Sequence, residues 1–128
     1  MINYGFSKTI NEPFDNVLDR VKEELQKEGF GILTSIDLRD KFKEKLDIDF
    51  KKYIILGACN PPSAYKALQY EEDIGLMLPC NVVVYEKEGK TGVSIVKPTV
   101  AMRVIDNEQL SEIANHIEEK LKKAFEAI

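Results

Sequence analysis

The chain has 128 residues and a formal net charge of −4, the size of one ordinary domain with an acidic balance. Hydrophobic residues supply 44% and charged residues 31%, a soluble globular composition able to bury a core without disulfide or metal support. The acidic balance argues against an electrostatic grip on nucleic acid or an anionic membrane, since both need clustered Lys and Arg.

The lysine runs Lys41-Phe42-Lys43-Glu44-Lys45 and Lys120-Leu121-Lys122-Lys123 are broken by Glu and apolar residues, as on a solvated helix face. Met1-Ile2-Asn3-Tyr4 opens directly into folded-looking sequence with no signal peptide, and no apolar run reaches membrane-spanning length. Two cysteines without an export signal point to a reducing cytoplasm, where thiols stay free.

Ile2 to Lys8 reads as a first strand. Asn11 is then the expected cap of a helix that tolerates Pro13 in its first turn, where a missing N–H costs nothing. Phe14, Val17, Leu18, Val21 and Leu25 recur at helical spacing, and Gly29 ends the helix in a left-handed conformation. Gly31 to Leu38 reads as a strand, and Arg39 to Leu46 as a short surface helix with Phe42 and Leu46 on one side.

Tyr53 to Cys59 is an apolar run of strand length, and Pro61-Pro62 starts a helix through Tyr70 with Ala64, Ala67 and Leu68 inward. Ile74 to Leu78 stays ambiguous between an extended segment and a loop. Asn81–Lys87 and Thr91–Lys97 form a hairpin turning at Glu88-Gly89-Lys90, with Pro98 ending the second arm. Thr99 to Ile105 is an undetermined connection. Asp106, with Gln109 three residues on, is the expected cap of a long helix whose stripe is Leu110, Ile113, Ala114, Ile117, Leu121, Ala124 and Phe125.

Residues 1–128 thus read as one α+β domain, a mainly antiparallel sheet covered on one face by the two long helices. In the strand Tyr53–Cys59 both alternating sets are apolar, and Val82-Val83-Val84 repeats the pattern. An uncovered apolar sheet face calls for a second subunit or a ligand, so a homodimer or a pocket is expected there.

The chemistry concentrates in two runs, Gly57-Ala58-Cys59-Asn60-Pro61-Pro62-Ser63 and Leu78-Pro79-Cys80-Asn81, which hold both cysteines, each followed by Asn. Cys59 lies where a strand ends and a helix begins, near free backbone N–H groups and the positive end of the helix dipole, which would lower its pKa. The same turn could hold an anion, although Pro61 and Pro62 remove two donors and only the Ser63 hydroxyl could restore one. Roughly twenty residues separate the cysteines, enough for an antiparallel pairing that unites them or a parallel crossover that parts them.

Together the thiols would suit a redox dithiol or a soft-metal site. A tetrahedral zinc site wants four ligands, and the one histidine, His116, falls outside the stripe of the last helix. Met77 and Met102 are soft donors, though methionine more often fills a core.

Other signals fail. Gly89-Lys90-Thr91 lacks the earlier glycine of a phosphate-binding loop, having Val84 there. Glu71, Glu72 and Asp73 read as solvated surface, and Glu86, on a strand face with Val82 and Val84, as a solvent-facing hairpin residue.

In order along the chain, Gly29-Phe30-Gly31-Ile32-Leu33 with Ile36-Asp37, Tyr53 to Pro61 with Ala64, Gly75 to Glu86, and Pro98 before Met102 make the sequence resemble the domain-of-unknown-function family 302. The resemblance implies a β-α-β(3–4)-α core similar to the TATA-binding-protein-like fold, with frequent dimerisation, and brings no activity or catalytic residue with it. Where the family tends to place an acid before the last proline, this chain has Lys97, so no role of that acid carries over.

The leading expectation is a cytoplasmic homodimer that binds a small molecule or soft metal ion at Cys59, Asn60, Ser63, Cys80 and Asn81, with no nucleic-acid or membrane partner. The alternatives are a thiol redox protein or enzyme with Cys59 as reactive thiolate, and a structural or interaction module whose cysteines only pack.

Overall fold

The computed structural model describes residues 2–128, so Met1 of the Met1–Tyr4 opening lies outside it. Strand β1 (Gly5–Ile10) leads into helix α1 (Phe14–Lys27), then β2 (Gly31–Asp37), α2 (Leu38–Leu46), β3 (Tyr53–Cys59) and α3 (Pro61–Tyr70). A 3-10 segment (Glu72–Met77) precedes the hairpin of β4 (Cys80–Lys87) and β5 (Lys90–Val96). A short helix α4 (Pro98–Ala101), a 3-10 turn (Met102–Val104) and the long helix α5 (Glu108–Ala127) complete the chain. The sheet order is β1-β5-β4-β3-β2, antiparallel throughout, and β1, α1, four further strands and α5 are the α+β core that the sequence implied.

Register explains the two faces. Leu56 pairs with Val82, Ala58 with Cys80 and Val82 with Ile95, so these side chains share the face that α1 and α5 cover. Val17, Val21 and Leu25 of α1 and Leu110, Ile113, Ile117 and Leu121 of α5 bury the stripes that the sequence spacing marks. Each such Val or Leu contributes about 1.5–3 kcal/mol by leaving water, so the sheet stays where these helices clamp it.

The opposite face carries Tyr53, Ile55, Val83 and Tyr85 along with Ser7 and Ser94; neither α1 nor α5 lies on it, and α2 reaches its margin through Phe42 and the following Phe50, whose ring stands 6.3 Å from that of Tyr53. Tyr53 stacks on Tyr85 at 5.2 Å between ring centroids, and Tyr85 lies over Gly92, where a Cβ would stand 2.6 Å from the ring. The hairpin turns on Glu88 and Gly89 alone, both at positive φ (51° and 78°), the two-residue turn that matches strand twist.

Several helix ends differ from the sequence expectation. Pro13 rather than Asn11 stands at the start of α1, and Asn107 rather than Asp106 caps α5 by accepting the Gln109 N–H. In both cases the chain enters the helix later than the first polar residue offered. Asp37 caps α2, which buries no residue of its own. In α3 the inward residues are Ser63 and Ala67; Leu68 is exposed, because α3 turns toward α5 rather than toward the sheet alone.

Candidate functional site

Cys59 and Cys80 meet at one end of the sheet. The cause is the antiparallel pairing of β3 with β4: β4 begins where β3 finishes, and Ala58 lies directly across from Cys80. Cys80 points to the helix-covered side and is 7% exposed, while Cys59, at the strand margin, is half-buried. Both are free thiols and both line one recess of about 10 Å³, closed by Phe30, Ser63, Ala67, Leu78, Met102 and Ile117 among others. No side chain in its lining is charged.

Burial pushes the Cys59 thiol up from its ordinary value. Cys80 is pushed to about 11, by burial first and then by the neighbouring Cys59. The depressed thiol expected at the strand-to-helix turn is therefore reversed in direction. The first turn of α3 has no backbone donor to spare: Pro61 and Pro62 carry no N–H, and the Ser63 N–H donates to Asn60 Oδ1 at 3.2 Å. Without free N–H groups the helix end neither draws out a thiolate nor cradles an anion, and desolvation decides.

Asn60 is a clasp. Besides capping α3, its Nδ2 donates to the Gly29 carbonyl at 3.3 Å, tying the α1–β2 turn to the β3–α3 turn. Gly29 sits at φ 85°, and a Cβ there would stand 3.0 Å from Asn60 Nδ2, so conformation and close approach both favour glycine. The structure thus gathers Cys59, Asn60, Ser63 and Cys80 around one recess. Asn81 is not among them: it is exposed, pairs with Gly57, and lines a neighbouring recess of about 220 Å³ with Met77, Cys80 and Met102.

A larger cleft of about 640 Å³ lies between α3 and α5, walled by Tyr65, Lys66, Gln69 and Tyr70 on one side and Gln109, Glu112 and His116 on the other. Ser63 lines it as well as the thiol recess. Sequence reasoning placed His116 outside the apolar stripe but did not connect it to α3. The signal was present: residues 65, 66, 69 and 70 form one polar and aromatic face of α3, and 109, 112 and 116 one face of α5. Glu86 is held elsewhere, where its Oε1 accepts the Lys52 N–H at 3.0 Å.

Among the described residues, no three His, Cys, Asp or Glu side chains group closely enough to hold a metal ion, so sulfur is what this end of the sheet offers. No helix among the described residues is long and apolar enough to cross a membrane.

Comparison with known proteins fits this geometry. No curated protein matches the chain. The crystal structure of an uncharacterized conserved DUF302 protein from Bacillus stearothermophilus superimposes with a TM-score of 0.90 at 31% sequence identity, covering 98% of each chain. The model of the family described as "Domain of unknown function DUF302" matches residues 6–128, and with the two cysteine runs joined at one sheet end, the chain belongs to that family.

Proposed function

We propose that this protein is a cytoplasmic, homodimeric binding domain whose Cys59–Cys80 recess takes up a single soft metal ion. The observation that carries the reading is the shared recess: two free thiols, far apart in sequence, border one space of about 10 Å³. That space suits one ion or one water-sized occupant. Organic ligands ordinarily need pockets of roughly 300–1,000 Å³.

Raised thiol pKa values weigh against a standing nucleophile at Cys59, because the thiolate is the attacking species. They suit a soft cation, which displaces a thiol proton that ordinary solution chemistry leaves in place. Native mass spectrometry of the reduced protein against Cu(I), Zn(II), Ni(II) and a metabolite panel tests this. One soft ion per chain, lost in Cys59→Ser and Cys80→Ser, is the expected result; unchanged binding in both variants refutes it.

A small organic ligand has room in the α3–α5 cleft instead, where Tyr65 and Tyr70 offer aromatic faces at about 640 Å³. A metabolite held there would survive both serine substitutions, which separates the two readings. The second copy is proposed for the open sheet face, where Ile55 and Val83 stand among stacked tyrosines and β2 is an edge strand with Leu33 65% exposed.

A further inference from the structure

The two cysteines are not the only sulfur at this end of the sheet. The chain has two cysteines and three methionines, and apart from Met1 every one of them borders one or both of two neighbouring recesses. Cys59, Cys80 and Met102 line the inner recess; Cys80 and Met102 line the outer one together with Met77. Cys80 and Met102, each 7% exposed, therefore stand between the two, and Met77, at 38% exposure, is the outermost sulfur.

Met102 owes its place to the backbone around it. Pro98 opens α4, the Met102 N–H donates to the Pro98 carbonyl, and the Met102 carbonyl accepts the Ile105 N–H at 3.0 Å. This short, tightly bonded turn brings Met102, from the far end of the chain, into the lining of both recesses that Cys80 borders. A methionine that merely filled core space would not need to border both recesses that contain a thiol.

We infer that the recess is a three-sulfur centre for Cu(I), with Met102 as the third donor beside Cys59 and Cys80; this rests on the soft-metal reading above. Thioether and thiolate are the donors that select Cu(I), and nothing in the recess supplies the imidazole or carboxylate that zinc or harder ions would take. A thioether has a further virtue here. It adds a donor without adding charge and without giving up a proton, in a lining that holds no charged side chain. When Cys59 and Cys80 ionise, both protons leave to solvent and the monocation cancels one of the two thiolate charges, so the centre carries a single negative charge to which the thioether adds nothing.

The test is anaerobic Cu(I) titration of the whole reduced protein against a chromogenic Cu(I) chelator, with copper K-edge absorption to count sulfur neighbours. Met102→Leu preserves volume and keeps the fold. Three sulfurs in the wild type, two in Met102→Leu, and affinity weaker by about tenfold or more is the expected result, on the scale seen when metal-site residues are altered. Met77→Leu, which touches only the outer recess, leaves sulfur count and equilibrium affinity unchanged.

If Cys59→Ser and Cys80→Ser abolish binding while Met102→Leu matches the wild type, the third donor is refuted and the two-thiol site stands. An equal loss in Met77→Leu and Met102→Leu refutes it as general loosening. If the wild type takes up no Cu(I), the three-sulfur copper centre is refuted, and the reading beneath it falls as well if no other ion of the panel binds.

Discussion

Raising the pH should destabilise this protein through Cys80, together with the Cys59 thiol coupled to it. Burial holds the Cys80 thiol at about 11 in the folded chain, against 9.0 when unfolded and hydrated. A folded pKa above the unfolded one means that the native state keeps its proton longer. The associated stability is complete below pH 9 and drains away as pH rises toward 11. The interval corresponds to about 2 to 3 kcal/mol, of which about 1.4 kcal/mol is gone by pH 10 and most by pH 11.

Tyrosines and lysines ionise over the same range, so the informative quantity is the difference between the wild type and Cys80→Ala. At pH 7 the alanine variant is less stable by about 1 kcal/mol, because it leaves a small void in a packed wall. Near pH 10 the two become equal, and above that the variant is the more stable. Urea unfolding under reducing conditions at half-unit steps from pH 7 to 10.5 measures this. A difference that stays constant across the range would show that Cys80 is not held protonated by burial, and would refute the account of the recess as buried and uncharged.

Three further outcomes follow from the geometry. Gly57→Ala places a Cβ against Thr34 Oγ1 and 2.5 Å from Pro79 Cγ, so it should cost about 1–3 kcal/mol by overpacking, read as a lower urea midpoint with unchanged slope. Asn60→Ala removes the α3 cap and the tie to Gly29, a loss of about 1 kcal/mol in thermal or urea unfolding, whereas Asn60→Asp keeps the cap and should recover most of it. Val83→Glu puts a charge in the middle of the open face; sedimentation equilibrium should show monomers that keep the wild-type circular dichroism, and a dimer retained in this variant would place the interface elsewhere.

Much of this architecture is written locally. Tyr53–Cys59 and Pro61–Tyr70 occupy the residues that the sequence pattern assigns them, because the apolar run is bounded by a turn and the paired prolines fix where the helix starts. The stripes of α1 and α5 are equally plain, since a 3.6-residue period leaves little choice of buried face. Helix starts were less legible: Asn11 and Asp106 are chemically good caps, but the chain bends one or two residues later.

The site was half legible. Both cysteine runs could be found, yet whether they meet depended on strand direction, which no local pattern encodes. The direction of the Cys59 shift was misjudged because helix geometry was visible and the occupation of its N–H groups was not. The α3–α5 cleft joins residues that only tertiary packing brings together.

On the proposed metal-binding reading, the same burial that makes the cysteines poor nucleophiles would make them a selective pair of ligands. To bind here, an ion must displace protons held more tightly than on a free thiol, so affinity for sulfur is the term that must win. Borderline and hard ions gain little from two sulfurs and find no nitrogen or oxygen anion to complete their shell. A soft monovalent ion loses less in that exchange and accepts a low coordination number. On that reading, discrimination would arise from the sheet and helices that bury the recess as much as from the donors. The geometry differs from that of thiol enzymes that use a helix N-terminus to free the thiolate: here Asn60, Pro61 and Pro62 have closed that end of α3, and the first turn has no backbone N–H left to stabilise a charged sulfur.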